Sequence, residues 1–288
     1  MNEVFKKINI PSHSLNDGNS IPLLGLGVYK TTDEKDMHTA VDAAYRCGYR
    51  LFDTASVYGN EELLGNAIRD LDIPRKSIFL TSKVWNNAQR LGDVSGAFQR
   101  TLDRLGTDYI DLYLIHWPVP GCIRQTWKEL IRLKESGLAR SIGVSNFSPA
   151  QIECLEEETG VVPALNQIEC HPLWRQGEAV NYCQSHNIQV QAYAPLARGA
   201  YKDREILIKI GEKYGKTAAQ TGLRWLIQRG ISVIPKSVHP SRIAENADIF
   251  DFALTEPEMT AIDAMDEGLR TAHIPQDLVD TEWAVLTD

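Results

Sequence analysis

The sequence predicts an α/β fold: a (β/α)8 TIM barrel with an N-terminal β-hairpin. Eight short apolar runs follow one another from Leu23 onward, amphipathic segments with readable helix caps separate them, and no Pro/Ser-rich linker or charge block breaks the alternation. The repeat recurs at roughly 30-residue intervals, the length of a β-α unit.

The hairpin comes first. Phe5 to Ile10 and Ile21 read as extended arms joined through Asn16-Asp17-Gly18-Asn19, a strong turn signal. The strands follow at Leu23 to Val28, Tyr49 to Phe52, Ser77 to Leu80, Tyr109 to Ile115, Ser141 to Val144, Ala164 to Ile168, Ile188 to Tyr193 and Ile231 to Ile234. Between them, Ser148-Pro149-Ala150-Gln151 offers an N-cap, a first-turn proline and a capping-box glutamine, with Ile152 and Leu155 on one face. Thr217 to Gln220 repeats the capping box before Leu223, Leu226 and Ile227, and Gly230 supplies a left-handed stop. Val94, Phe98, Leu102 and Leu105 form one core-facing stripe and Ile123, Trp127, Leu130 and Lys134 another, closed by Gly106 and Gly137.

No domain boundary is visible, so residues 1–288 are expected to form one domain, with the hairpin at 1–21, the barrel at 22–250 and a C-terminal helix and tail at 251–288. A doubly wound dinucleotide fold is disfavoured because no G-x-G-x-x-G joins a strand to a helix; Gly25-Leu26-Gly27 runs into Val28-Tyr29-Lys30 and reads by itself as a crowded strand end.

Composition narrows the functional classes. The formal charge of −8 argues against sequence-independent nucleic-acid binding and against an acidic membrane surface. No apolar run reaches the roughly 18 residues of a membrane span, and the start lacks a signal peptide's apolar stretch, so a cytoplasmic location is expected. Cys47, Cys122, Cys154, Cys170 and Cys183 are odd in number without a C-x-x-C, which suggests reduced thiols and no zinc ribbon. A monomer is expected.

A barrel of this kind builds its active site where the strands end. The polar residues there are Asp53, Lys83, His116, Ser145-Asn146, Gln167, Tyr193 and Lys236-Ser237, with Tyr58 in the loop after Asp53. Singly, a strand-end aspartate often caps a helix and a lysine often points to solvent. Jointly they form an acid system: a tyrosine with a pKa of about 10 is a poor donor unless a neighbouring ammonium lowers it. Asp53 can keep Lys83 charged, and His116 can hydrogen-bond a substrate oxygen. A strand-end lysine, Lys83 or Lys236, is also a possible Schiff-base nucleophile, although a carboxylate beside Lys83 stabilises the unreactive charged form. A non-enzymatic binding protein on the same scaffold is a further alternative.

The run Asp53-Thr54-Ala55-Ser56-Val57-Tyr58-Gly59-Asn60-Glu61, then Leu114-Ile115-His116-Trp117-Pro118, Ile142-Gly143-Val144-Ser145-Asn146-Phe147 and Ile234-Pro235-Lys236-Ser237 resemble, in order, the signatures of the aldo-keto reductase family. The likeness runs from about Leu23 to Phe252 and is nearest to microbial diketogluconate and methylglyoxal reductases. It implies NADPH-dependent reduction of small aldehydes and ketones by hydride from the nicotinamide, with no metal.

By that resemblance Tyr58 donates the proton, Lys83 and Asp53 tune it, and His116 positions the carbonyl. Ser145, Asn146 and Gln167 match the carboxamide-holding positions, Tyr193 the stacking aromatic, and Gly27, Val28 and Tyr29 a further part of the cofactor site. Lys236, Ser237, Val238 and Arg242, with Glu245 and Asn246, match the segment that grips the adenosine end; Lys236, Ser237 and Arg242 suit a 2′-phosphate. Tyr29, Trp85 and Trp117 are the implied substrate wall. Glu169-Cys170-His171-Pro172 reads as scaffold. Tyr29 stands where many members carry tryptophan, and His239 where threonine is frequent. The tail from Gly268 to Asp288 also departs from the microbial pattern, and the short loop after Trp117 suggests an open pocket.

Overall fold

Apolar strands with bare edges invite mispairing, and a sheet that closes on itself removes the edges. The computed structural model, which describes residues 5–279, solves the problem this way. A hairpin of β1 (Ser12–Ser14) and β2 (Ser20–Pro22) precedes eight parallel strands: β3 (Gly25–Gly27), β4 (Leu51–Asp53), β5 (Phe79–Val84), β6 (Ile110–Ile115), β7 (Ala139–Ser145), β8 (Leu165–Glu169), β9 (Gln189–Tyr193) and β10 (Ser232–Val233). Each pairs with its successor, and bridges Leu24↔Val233 and Gly27↔Lys236 join the last strand to the first. Gly27 is required at that join: a Cβ there would lie 2.8 Å from the Ile234 carbonyl oxygen.

Outside the barrel lie α1 (Glu34–Cys47), α2 (Glu61–Asp70), α3 (Asn86–Leu91), α4 (Val94–Leu105), α5 (Ile123–Glu135), α6 (Pro149–Thr159), α7 (Gly177–Ser185), α8 (Glu205–Tyr214), α9 (Ala218–Gln228), α10 (Pro240–Ala247), α11 (Glu256–Asp263) and α12 (Gln276–Val279). Both expected capping boxes form, at Ser148 of α6 and Thr217 of α9; a cap of this kind contributes about 1 kcal/mol. Val94, Phe98, Leu102 and Leu105 of α4 are buried, as their spacing predicts.

Two cores result. The larger lies between strands and helices; the smaller fills the barrel interior, where Leu15 and Ile21 of the hairpin pack with Leu51, Leu112, Leu114 and Leu165. The hairpin thus plugs the end of the barrel opposite the strand C-termini. Asn19 fastens it by donating to the Arg140 carbonyl at 3.1 Å.

Three sequence readings need correction. The first hairpin arm is Ser12–Ser14, not Phe5 to Ile10, because the Ile8 amide is taken by the Cys47 carbonyl at the end of α1 (2.8 Å). Lys134 does not join the core stripe of α5; its ammonium donates to Asp17 of the hairpin at 3.0 Å, and Leu133 is buried instead. The third strand begins after a 3-10 turn at Arg75–Ser77 and continues through Thr81, Ser82 and Lys83 to Val84. Of the expected termini, residues 1–4 and 280–288 lie outside the described residues.

Candidate active site

The C-terminal strand ends bring Asp53, Lys83, His116, Asn146, Gln167 and Tyr193 to one mouth. Lys83 is fully buried, and its ammonium donates to Asp53 Oδ1 at 2.7 Å and to the Thr54 carbonyl at 2.8 Å. A buried ammonium needs such partners. Burial pulls it below the ordinary lysine value while the Asp53 carboxylate pulls the other way.

Tyr58 sits on a 3-10 turn, Ser56–Tyr58, that several tethers fix over this pair. Ser56 Oγ donates to the Lys83 carbonyl (3.0 Å), Thr54 Oγ1 to Asn60 Oδ1 (2.8 Å), and Asn60 Nδ2 to the carbonyls of Val28 (2.8 Å) and Thr31 (3.0 Å). Buried Glu61 accepts from Ser82 Oγ at 2.6 Å and from Arg104 Nε at 2.7 Å. Thus the buried Asn60 and Glu61 of the sequence motif position the loop that carries Tyr58.

The Lys83 ammonium lies 5.2 Å from the Tyr58 ring centroid, and the His116 ring meets Tyr58 edge-on at 5.6 Å. One expectation changes here. Burial, and then the Asp53 carboxylate, hold the Tyr58 phenol well above its usual value, and the Lys83 ammonium, bound to Asp53 and Thr54, does not offset them. Burial and the nearby Lys83 charge hold His116 well below the ordinary histidine value, so its imidazole is neutral. The site therefore presents a protonated phenol beside a neutral imidazole, above an ion pair.

The residues expected around a nicotinamide form a connected group. Ser145 Oγ donates to the Gln167 carbonyl (2.7 Å); Asn146, with a left-handed φ of 65°, donates to Ser145 Oγ and to the His116 carbonyl, both at 3.0 Å. Tyr193 Oη donates to Asn146 Oδ1 at 2.7 Å, which fixes the plane of its half-buried ring. Gln167 Nε2 donates to Asp53 Oδ2 (2.8 Å) and to Gln191 Oε1 (2.7 Å). Sequence reasoning missed Gln191, although its two-residue offset from Tyr193 places it on the same strand face.

At the start of α10, Ser237 Oγ accepts from the His239 amide at 3.1 Å, while Lys236 and Arg242 are exposed and have no side-chain partner among the described residues. Val238 is half-buried, Asn246 is buried, and one Glu245 carboxylate oxygen accepts from Thr217 Oγ1 at 2.7 Å. A guanidinium, an ammonium and a hydroxyl around the start of α10 fit a phosphate monoester, and a fixed aromatic face beside amide and hydroxyl groups fits a nicotinamide.

Tyr29 stacks obliquely on Tyr58 with centroids 4.8 Å apart, and Trp85 meets His116 edge-on at 5.0 Å. Trp117 lines a cleft of about 660 Å³ with Asn146, Trp174, Gln176 and Arg270. The segment after α11 runs from Glu169 at the end of β8 to α3, alongside this cleft. Buried Glu169 accepts from the amides of Thr271 (2.7 Å) and Ala272 (3.1 Å), from Thr271 Oγ1 and from His171 Nε2 (3.2 Å). Burial alone would raise its carboxyl, but these hydrogen bonds outweigh it and hold it below the usual value. Further on, Asp277 accepts from Asn86 at 3.1 Å and Arg90 at 2.6 Å. No local signal in the sequence pairs Glu169 with Thr271 or Arg90 with Asp277.

A reductase barrel is what this fold and mouth define. The model of the Aldo/keto reductase family matches residues 23–267, and the chain belongs to that family. It is 43% identical over 265 residues to a glyoxal reductase of Bacillus subtilis, covering 92% of this chain and 96% of that protein. It is also 43% identical over 265 residues to methylglyoxal reductase DkgA of Escherichia coli K12, covering 91% and 95%. Among solved structures, a Bombyx mori aldo-keto reductase in complex with NADP superposes with a TM-score of 0.88 at 38% identity, over 95% of this chain and 98% of that one. No helix among the described residues is long and apolar enough to cross a membrane.

Proposed function

We propose that the protein reduces small aldehydes and ketones with NADPH, α-oxoaldehydes among them, and that Tyr58 is the proton donor. The observation that carries this reading is the placement of the Tyr58 phenol between the His116 ring and the buried Lys83–Asp53 pair. The glyoxal and methylglyoxal reductases among the relatives support the substrate class, and the NADP complex of a structural neighbour supports the cofactor.

Tyr193 would hold the nicotinamide and Lys236, Ser237 and Arg242 the 2′-phosphate of NADPH, which would supply the hydride. The chain's own residues do the rest. His116, neutral, donates a hydrogen bond to the carbonyl oxygen without competing for its proton. Tyr58 then gives its hydroxyl proton to the oxygen as negative charge develops there. An alkoxide is intrinsically a stronger base than a phenolate, which favours the transfer, while burial of the phenol works against it. The Lys83 ammonium, 5.2 Å from the ring centre, stabilises the phenolate left behind. Trp85 and Trp117 exclude water and select by shape and apolar contact, with the exposed Tyr29 at the rim.

The direct test is to mix the protein with NADPH and a panel of methylglyoxal, glyoxal, aromatic aldehydes and simple sugars, and to follow the dihydronicotinamide absorbance. Consumption with the α-oxoaldehydes is expected. No consumption with any carbonyl, together with a borohydride-trapped Lys83 or Lys236 adduct, would replace the reading with an aldolase.

A further inference from the structure

A row of polar side chains crosses the barrel beneath its mouth, and its last member has no part in the chemistry above. Lys83 donates to one oxygen of Asp53, Gln167 Nε2 donates to the other at 2.8 Å, and the same nitrogen donates to Gln191 Oε1 at 2.7 Å. Gln167 and Gln191 are register partners on β8 and β9, whereas Asp53 lies on β4, across the barrel. All four side chains are buried.

Elementary chemistry orients this row. An ionised carboxylate only accepts, so Gln167 must turn its nitrogen toward Asp53. That nitrogen carries two hydrogens, and the second is directed at Gln191, which can receive it only through its own oxygen. Gln191 Nε2 is then left buried without a partner. An unsatisfied buried donor is unfavourable, and a purely space-filling apolar residue would avoid it. With both hydrogens of Gln167 committed, its carbonyl oxygen is the group that remains to meet a ligand.

We propose that Gln191 is a positioning residue for cofactor recognition: by accepting the second N–H of Gln167 it locks that amide, so that the carbonyl faces the –NH2 of the nicotinamide carboxamide. This rests on the reading that Gln167 contacts the carboxamide. The lock selects a ring carrying a primary amide over one carrying a ketone in the same place.

The test uses NADP+ and its 3-acetylpyridine analogue, in which a methyl group replaces the amide –NH2, with dissociation constants read by quenching of tryptophan fluorescence. The wild-type protein is expected to prefer NADP+ about tenfold, the order of one hydrogen bond. Gln191→Met, similar in size but without the acceptor, is expected to narrow the preference to about twofold or less, and Gln191→Glu, which keeps an acceptor, to restore it. The ratio is taken within one preparation, so partial loss of folded protein cancels. An undiminished preference in Gln191→Met, or a Gln191→Glu protein no more selective than Gln191→Met, overturns the role of Gln191 alone. No preference in the wild type overturns the placement of Gln167 at the carboxamide, and the lock with it.

Discussion

The two sides of the mouth follow opposite electrostatic plans. Around Asp53, charges are buried and satisfied by one another: Lys83 and Gln167 saturate the carboxylate, and tethers from Ser56, Asn60 and Glu61 hold the loop above it. Around α10, Lys236 and Arg242 stand in solvent with no partner from the described chain. The first region is preorganised, and disturbing it affects both folding and chemistry. The second waits for an external anion, so its changes should be felt only in cofactor choice.

Four measurements would break or sharpen that contrast. The largest effect is expected from Tyr58→Phe, which should lower kcat by roughly 10²- to 10⁴-fold, the range for a general acid, while leaving the NADPH dissociation constant unchanged; wild-type turnover would place the acid elsewhere. Next, Lys83→Met leaves Asp53 buried without its counter-charge and should cost about 3–5 kcal/mol in urea unfolding, with Asp53→Asn in the same chain recovering part of the loss. On the solvent side, Arg242→Ala should weaken NADPH by about 1.5–3 kcal/mol and NADH hardly at all, with the urea midpoint unmoved. Equal losses for both cofactors would remove the phosphate from this place.

The smallest effect concerns pH. His116 is held below its ordinary value in the folded protein, so the unfolded chain binds its proton more readily. Stability should therefore be intact above the unfolded value of about 6.5 and fall as pH drops below it, with a slope approaching about 1.4 kcal/mol per pH unit until the folded imidazole itself is protonated. Urea unfolding of the wild type and of His116→Gln, compared across pH 5 to 8, should show that slope only where the histidine is present.

Much of this was legible in the residues. Apolar runs located the eight strands, and Ser148 and Thr217 marked two helix starts because capping is local chemistry. Asp53, Tyr58, Lys83 and His116 converge because strand ends in a closed barrel must. What escaped depends on distant partners. The strand read from the sequence stops at Leu80, and the structure extends it through Thr81, Ser82 and Lys83, where Glu61 and Asp53 accept from Ser82 and Lys83. Lys134 sits at a core spacing yet reaches Asp17, and the tie between Glu169 and Thr271 spans most of the C-terminal half of the chain. The tuning of Tyr58 was inferred with the right neighbours but the wrong balance, since sequence lists charges without saying which are already neutralised.

The join between first and last strands also has a dynamic meaning. β10 has two residues, and the Leu23 and Pro235 carbonyls receive the Val233 and Gly27 amides across it. Few hydrogen bonds must break for this stave to part from its neighbour, so transient opening should begin there and amide exchange should be fastest along that line of the barrel.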